Sequence, residues 1–246
     1  MKVLIKPNTQ VQAEFAANLI KEEILAKPDL KICFATGNSP IKTYQELIKM
    51  NKNKDVSFSK VTSFNLDEYV GIQKENKCSY HYFMHKTLFD HIDINKANIN
   101  LPNGIGNIVD NSNKYEALIK EKGGIDLMIL GIGKNAHIAF NEPGSLPTER
   151  TREVKLTKST IEANKIYFDS ENDVPKTAIS MGIKTILEAK KIILLADGES
   201  KAKALFDTIF GEVSPEIPSS YLKTHPDVTL IVDESSAKMI LEKVKK

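Results

Sequence analysis

The stretch Leu130 to Ser145, LGIGKNAHIAFNEPGS, leaves an apolar run and delivers one histidine and one carboxylate into a short, glycine-punctuated loop. An imidazole ordinarily titrates near neutrality, so a histidine placed like His137 can take and give a proton, and a carboxylate beside it, Glu142, can fix its tautomer. Three further stretches carry chemistry-bearing residues. Asp67-Glu68, followed by Tyr69-Val70-Gly71, is an acidic pair, and a carboxylate in a loop apart from the histidine suits abstraction of a carbon-bound proton, as aldose–ketose isomerisation requires. Thr36-Gly37-Asn38-Ser39-Pro40 is a glycine turn between a strand and a helix, where backbone N–H groups and a positive dipole end can hold a phosphate. Lys201 follows Asp197-Gly198-Glu199-Ser200 and can bring an ammonium to an anion at the start of a helix. Each feature has a plain alternative: a histidine that caps backbone groups, surface carboxylates, an ordinary turn, a solvated lysine. Taken together, the glycine turn (Gly37, Asn38, Ser39) and Lys201 suit a phosphate. Asp67, His137 and Glu142 are then left for proton transfers on a neutral or cationic part of the same molecule.

The elements that must position these residues alternate short β-branched runs with helical periods, the sign of a parallel βαβ sheet. Ile125 to Leu130 is apolar with little interruption, as expected of a parallel strand covered on both faces. Gly131 and Gly133 end it, which puts His137, Asn141 and Glu142 beyond a strand's carboxyl end, where open α/β sheets bind ligands. Val3 to Ile5, Leu30 to Ala35, Val61 to Leu66, Lys191 to Ala196 and Val228 to Val232 read as the other strands. Thr9 is the expected cap of a helix carrying Val11, Phe15, Leu19 and Ile24, and Ser235 the cap of a terminal helix. Tyr82, Phe83, Leu88 and Phe89 predict another helix, and Ala178, Met181, Ile183, Ile186 and Leu187 one more. Pro143 to Pro175 is polar and poor in long apolar runs, as expected of a functional connection.

Composition narrows the class. The chain has 246 residues, 41% of them hydrophobic, enough for a substantial core in one domain spanning 1–246 with a lid within about 144–176. Its 34 basic and 32 acidic residues leave a formal charge of +2, so no broad field points to nucleic acid or an anionic membrane. Cys33 and Cys78 lack metal-ligand spacing and suit a reducing compartment. With no signal-like segment after Met1 and no apolar run near membrane length, a cytoplasmic protein is expected.

Over essentially its whole length the sequence resembles the glucosamine-6-phosphate deaminase family, also called glucosamine-6-phosphate isomerase. Ala35 to Pro40 (ATGNSP) is similar to the family's phosphate loop and Phe64 to Gly71 (FNLDEYVG) to its acidic loop. Leu130 to Ser145 is similar to its catalytic loop, and Thr151-Arg152 with Val174-Pro175-Lys176 to the segment flanking its lid. The resemblance implies a modified doubly wound, Rossmann-like α/β fold with a parallel sheet, helices on both faces and a helical or loop lid. It implies conversion of glucosamine 6-phosphate and water into fructose 6-phosphate and ammonia, with Asp67 as the carbon 2 base and His137, supported by Glu142, opening the ring. No metal or organic cofactor is implied.

Two positions depart from the family's best-known form. Asn135 stands where many members carry an aspartate beside the histidine; it supplies no negative charge but can orient the ring by hydrogen bonding. Ile166 falls where a lid arginine grips the phosphate, which leaves Lys165 and Arg152 as substrate-binding candidates with Gly37, Asn38, Ser39 and Lys201. The chain lacks the C-terminal extension of the allosterically regulated hexameric members, so a monomer or small homo-oligomer is expected. Two other functions stay open on the sequence: a hydrolase of sugar-phosphate lactones resembling 6-phosphogluconolactonase, and a non-catalytic sugar-phosphate sensor.

Overall fold

A computed structural model of the chain describes residues 1–165, 168, 170 and 173–245. In chain order its elements are β1 (Lys2–Lys6), α1 (Thr9–Ala26), β2 (Lys31–Phe34), α2 (Ile41–Lys52), β3 (Thr62–Asn65), β4 (Asp67–Tyr69), α3 (Tyr80–Thr87), β5 (Ile99–Asn100), α4 (Ile108–Glu121), β6 (Leu127–Leu130), β7 (Arg152–Lys155), α5 (Lys158–Asn164), β8 (Thr177–Ser180), α6 (Ile183–Leu187), β9 (Lys191–Ala196), α7 (Ala202–Phe210), β10 (Val228–Asp233) and α8 (Lys238–Val244).

Seven strands form a parallel sheet in the order β1-β10-β9-β6-β2-β3-β5. From the β6–β2 boundary the chain runs outward in both directions, to β3 and β5 on one side and to β9 and β10 on the other. This is the doubly wound α/β arrangement expected from the sequence, and it opens a crevice where the order reverses. Leu127, Met128, Ile129 and Leu130 of β6 are completely buried, as a central strand covered on both faces requires. Shortening Leu130 to alanine there would cost about 2–5 kcal/mol through the cavity left behind. Tyr44 and Leu47 of α2 and Ala16, Ala17 and Ile20 of α1 belong to the same core.

A second, antiparallel sheet, β4-β8-β7, stands beside the carboxyl ends of the first. It corrects the expectation that Val61 to Leu66 ends in an acidic loop: β3 stops at Asn65, and Asp67 and Glu68 lie within β4, with Asp67 paired to Ser180. Asn65 fixes the break, since its side-chain amide donates to Phe34 O at 2.9 Å while Tyr115 clasps its backbone. Ala178 likewise belongs to β8 and not to a helix; the helix begins only at Ile183. Asn8, not Thr9, caps α1 by accepting from Val11 N at 3.0 Å. No side chain caps α8, so Ser235 does not have the expected role. The predicted helix around Tyr82 runs over Tyr80–Thr87, and Phe89 lies in a separate 3-10 turn. Tyr69, Phe140, Leu156 and Ala178 form a small apolar cluster of their own, with Ile161 and Phe168 packed against it.

Candidate active site

The four chemistry-bearing stretches leave β9, β6, β2 and β3, which are neighbours in the sheet, so their carboxyl ends open on one place. There they line a cavity of about 570 Å³ whose walls include Gly37, Asn38, Ser39, Asp67, Asn135, His137 and Lys201. That volume suits a small phosphorylated metabolite. The sequence-derived candidates Arg152, Lys165 and Glu142 are not among its lining residues.

Asp67 forms the buried acidic wall. It is 4% exposed, and its Oδ1 has no hydrogen-bond partner among the described residues. Burial, and then the negative charge of Glu68, push its carboxyl from 3.8 up to about 8. The two acids of the pair have different work. Glu68 accepts from the backbone N–H groups of Tyr69, Tyr80 and His81, each at 2.9 Å, and so ties the first turn of α3 to β4. It positions the wall in which Asp67 sits.

The histidine is presented by a strained loop. Ala136 and Ala139, on either side of it, have φ of 66° and 50°, a left-handed backbone that residues with a Cβ adopt at some cost. Gly133 lies against the imidazole, and a Cβ there would overlap His137 Cε1. Behind the ring, Nδ1 is 3.3 Å from Glu142 Oε2, within ion-pair range although not aligned for a hydrogen bond. Burial alone would raise the Glu142 carboxyl, but His137, the Thr160 hydroxyl and the Asn135 amide outweigh it and hold the group down to about 2. Glu142 is therefore an anion held behind the histidine, a positioning group.

Asn135 does not orient the ring directly. Its Nδ2 donates to Glu142 Oε2 at 2.6 Å, and its Oδ1 accepts from the His137 backbone N–H at 3.4 Å. Asn141, fully buried, is structural: its amide donates to Ile138 O and Met181 O, and its Oδ1 accepts from Arg152 Nη1 at 2.9 Å. Arg152 also pairs with Glu149 at 2.6 Å, so from outside the cavity it braces the loop that carries Asn141. Lys165 pairs with Glu162 on α5. Ile166 lies outside the described residues.

The positive side of the cavity holds Lys201, at the end of the 3-10 turn Glu199–Lys201 just before α7. Burial and then the charge of Lys134 lower its pKa, against the opposing pull of Asp197. Gly37, with φ of 92°, allows the turn that brings Asn38 and Ser39 to the start of α2, where no side chain caps the helix. Sequence reasoning overlooked Gly133, Lys134, Thr157 and Thr160. Gly133 reads as a strand terminator and Lys134 as a loop charge. The threonines are an ordinary N-cap pattern until the fold brings them to Glu142.

The sequence pattern of the glucosamine-6-phosphate isomerases/6-phosphogluconolactonase family matches residues 8–231. The chain belongs to this family. It is 46% identical over 241 residues to a glucosamine-6-phosphate deaminase of Thermoanaerobacter pseudethanolicus, covering 98% of this chain and 95% of that one. It is 47% identical over 238 residues to one of Clostridioides difficile, covering 96% of each. A solved structure described as a monomeric glucosamine-6-phosphate deaminase superposes with a TM-score of 0.95 at 39% identity, covering 97% of this chain and 100% of that one. A 6-phosphogluconolactonase from Thermotoga maritima shares the fold, with a TM-score of 0.75 at 17% identity over 94% of this chain and 99% of that one. The buried Asp67 and His137 line the same cavity in this chain.

Proposed function

We propose that this chain isomerises and deaminates an amino-sugar phosphate, converting glucosamine 6-phosphate and water into fructose 6-phosphate and ammonia. The observation that carries this reading is Asp67: a buried carboxyl held near pH 8, unpartnered at Oδ1, in the wall of a cavity that also holds His137 and Lys201. A base that must take a proton from carbon works best with a pKa near the working pH. The cationic amine of the substrate beside it favours its charged form.

His137, backed by the Glu142 anion, moves the proton between the ring oxygen and the anomeric hydroxyl, which opens the pyranose to the aldehyde. Asp67 then takes the hydrogen from carbon 2. The electron pair forms a carbon 1–carbon 2 double bond as the aldehyde oxygen is protonated. The ammonium supplies the proton that the aldehyde oxygen takes up, which leaves a neutral enolamine. Return of the carbon-bound proton from Asp67 to carbon 1 then uses the double-bond pair, and the nitrogen lone pair forms the carbon 2 iminium. Water adds to that carbon, and ammonia leaves as the carbonyl forms. A lactone hydrolase needs water delivered to a carbonyl but no base for a carbon-bound proton, so Asp67 favours the deaminase over that alternative. A sensor has no use for either group.

Within 1–246, read as one unit, we place a lid in the 144–176 stretch: α5 and its cap Thr157 reach over to Glu142 through the hydroxyls of Thr157 and Thr160. The similar solved deaminase is described as monomeric, which supports a monomer or small homo-oligomer here. No helix among the described residues is long and apolar enough to cross a membrane, and a chain of this length with two cysteines, Cys33 and Cys78, suits a reducing cytoplasm. The test is ammonia release across a panel of 2-amino-2-deoxyhexose 6-phosphates, with 6-phosphogluconolactone as the counter-substrate. Release from the gluco compound without lactone hydrolysis supports the assignment; lactone hydrolysis without ammonia overturns it.

A further inference from the structure

We propose that Lys134 is a second phosphate-binding cation of this site, so that the substrate's dianion is held jointly by Lys134, Lys201 and the start of α2. The inference rests on the amino-sugar phosphate reading for the identity of the substrate, and on the cavity for the place of its phosphate. Lys134 and Asn135 are the central residues of a turn closed by Ala136 N–H donating to Gly133 O at 3.0 Å. Asn135 is anchored to Glu142 at 2.6 Å, so the backbone beneath Lys134 is fixed from both sides. From that corner Lys134 lines the same cavity as Lys201, Gly37 and Ser39. These residues follow the adjacent strands β6, β9 and β2.

Charge balance gives the arrangement its meaning. Among the described residues neither Lys134 nor Lys201 has a carboxylate within ion-pair distance, whereas Lys27, Lys190 and Arg152 elsewhere each do. Both ammonium groups line one cavity, and Lys134 is close enough to disfavour the charge of Lys201, opposed by Asp197 without an ion pair; that is a poor arrangement for an empty site and a good one for a dianion. The uncapped start of α2 adds backbone donors to the same place. Asp67, on another wall, is left for the cationic amine, so the cavity's two signs match the two ends of an amino-sugar phosphate. Lys134 thus supplies the second cation that the family resemblance assigns to position 166, where this chain has isoleucine. Its ammonium offers a point charge in place of a guanidinium fork.

The experiment is calorimetric titration of inorganic phosphate and of fructose 6-phosphate into the full chain and its Lys134→Ala, Lys134→Arg, Lys201→Ala and Lys77→Ala variants, at two salt concentrations. Lys134 is exposed, so its replacement leaves the fold intact. Lys134→Ala is expected to weaken both ligands by about 5- to 20-fold, less than Lys201→Ala because more water surrounds Lys134. It also flattens the salt dependence, and Lys134→Arg keeps most of the affinity. In ammonia release the same substitution raises KM and leaves kcat within about 2-fold. Unchanged phosphate affinity in Lys134→Ala overturns the proposal, as does a larger loss in Lys77→Ala, a cavity-lining lysine without electrostatic contact to Lys201. Lys134-dependent phosphate binding in a protein that releases no ammonia would remove the deaminase reading and leave the phosphate site standing.

Discussion

Asn135 acts on His137 through Glu142: its amide donates to the glutamate's Oε2 at 2.6 Å, the same oxygen that faces His137 Nδ1 at 3.3 Å. The other oxygen, Oε1, accepts from Thr157 at 3.1 Å and from Thr160. One carboxylate therefore joins the catalytic loop to α5. Since burial opposes its charge and these donors favour it, the Glu142 pKa falls from 4.5 to about 2. A depressed carboxyl stabilises the fold above its unfolded value and loses that contribution as pH falls through the folded one. Thr160→Val, which removes one donor, should cost about 1–2 kcal/mol at neutral pH and move acid unfolding to higher pH. Acid titration followed by circular dichroism checks both.

Gly133→Ala should fold yet work poorly. The added Cβ overlaps the His137 ring and pushes it off the position that Glu142 supports. We expect kcat to fall at least about 100-fold with a melting temperature within a few degrees of wild type. Steady-state kinetics beside a thermal melt separates this from simple unfolding.

Arg152→Ala should behave in the opposite way. Its guanidinium lies outside the cavity and holds Asn141 and Glu149, so its loss leaves a buried amide oxygen unpartnered and costs about 1–3 kcal/mol. KM should stay within about 2-fold of wild type, since no substrate contact is lost. A KM rise of about 10-fold or more would return Arg152 to the substrate-binding set.

Much of this arrangement was legible before the structure. The run Lys191 to Ala196 is a strand with those same bounds, and the loops holding Gly37, His137 and Lys201 do meet at the carboxyl ends of neighbouring strands. The second sheet was not legible for physical reasons. A three-residue strand such as Asp67–Tyr69 is too short to show alternation, and its identity is set by pairing with β8, far along the chain. Ala178, Met181 and Ile186 share a helical spacing by accident of a strand that turns into a helix at Gly182. The contacts of Arg152 were hidden because its partners Asn141 and Glu149 are chosen by the fold, whereas the sequence offers only its likeness to a lid-flanking segment. Asn8 and Thr9 are both good caps, and only backbone geometry decides between them.

The stability gained by Asp67→Asn over wild type should depend on pH with a definite sign. The folded carboxyl titrates near 8 against 3.8 when free, so between those values the native state holds a proton that the unfolded chain has lost. Stability therefore falls as pH rises across that window, because burying the charged form is unfavourable. Asparagine escapes this cost. Its advantage over wild type should be small near pH 4, grow up to about pH 8 and level off beyond, reaching a melting temperature higher by on the order of 5 °C. Thermal melts across that range check it.

Asp67 as the carbon 2 base is tested most directly by the rate of ammonia release from glucosamine 6-phosphate in wild type and Asp67→Asn, with fructose 6-phosphate binding measured on the same preparations. We expect ammonia and fructose 6-phosphate in equal amounts from wild type, and a rate lower by about 100- to 10,000-fold in Asp67→Asn with fructose 6-phosphate still bound. An Asp67→Asn enzyme that releases ammonia as fast as wild type would contradict the assignment of the carbon 2 proton to Asp67.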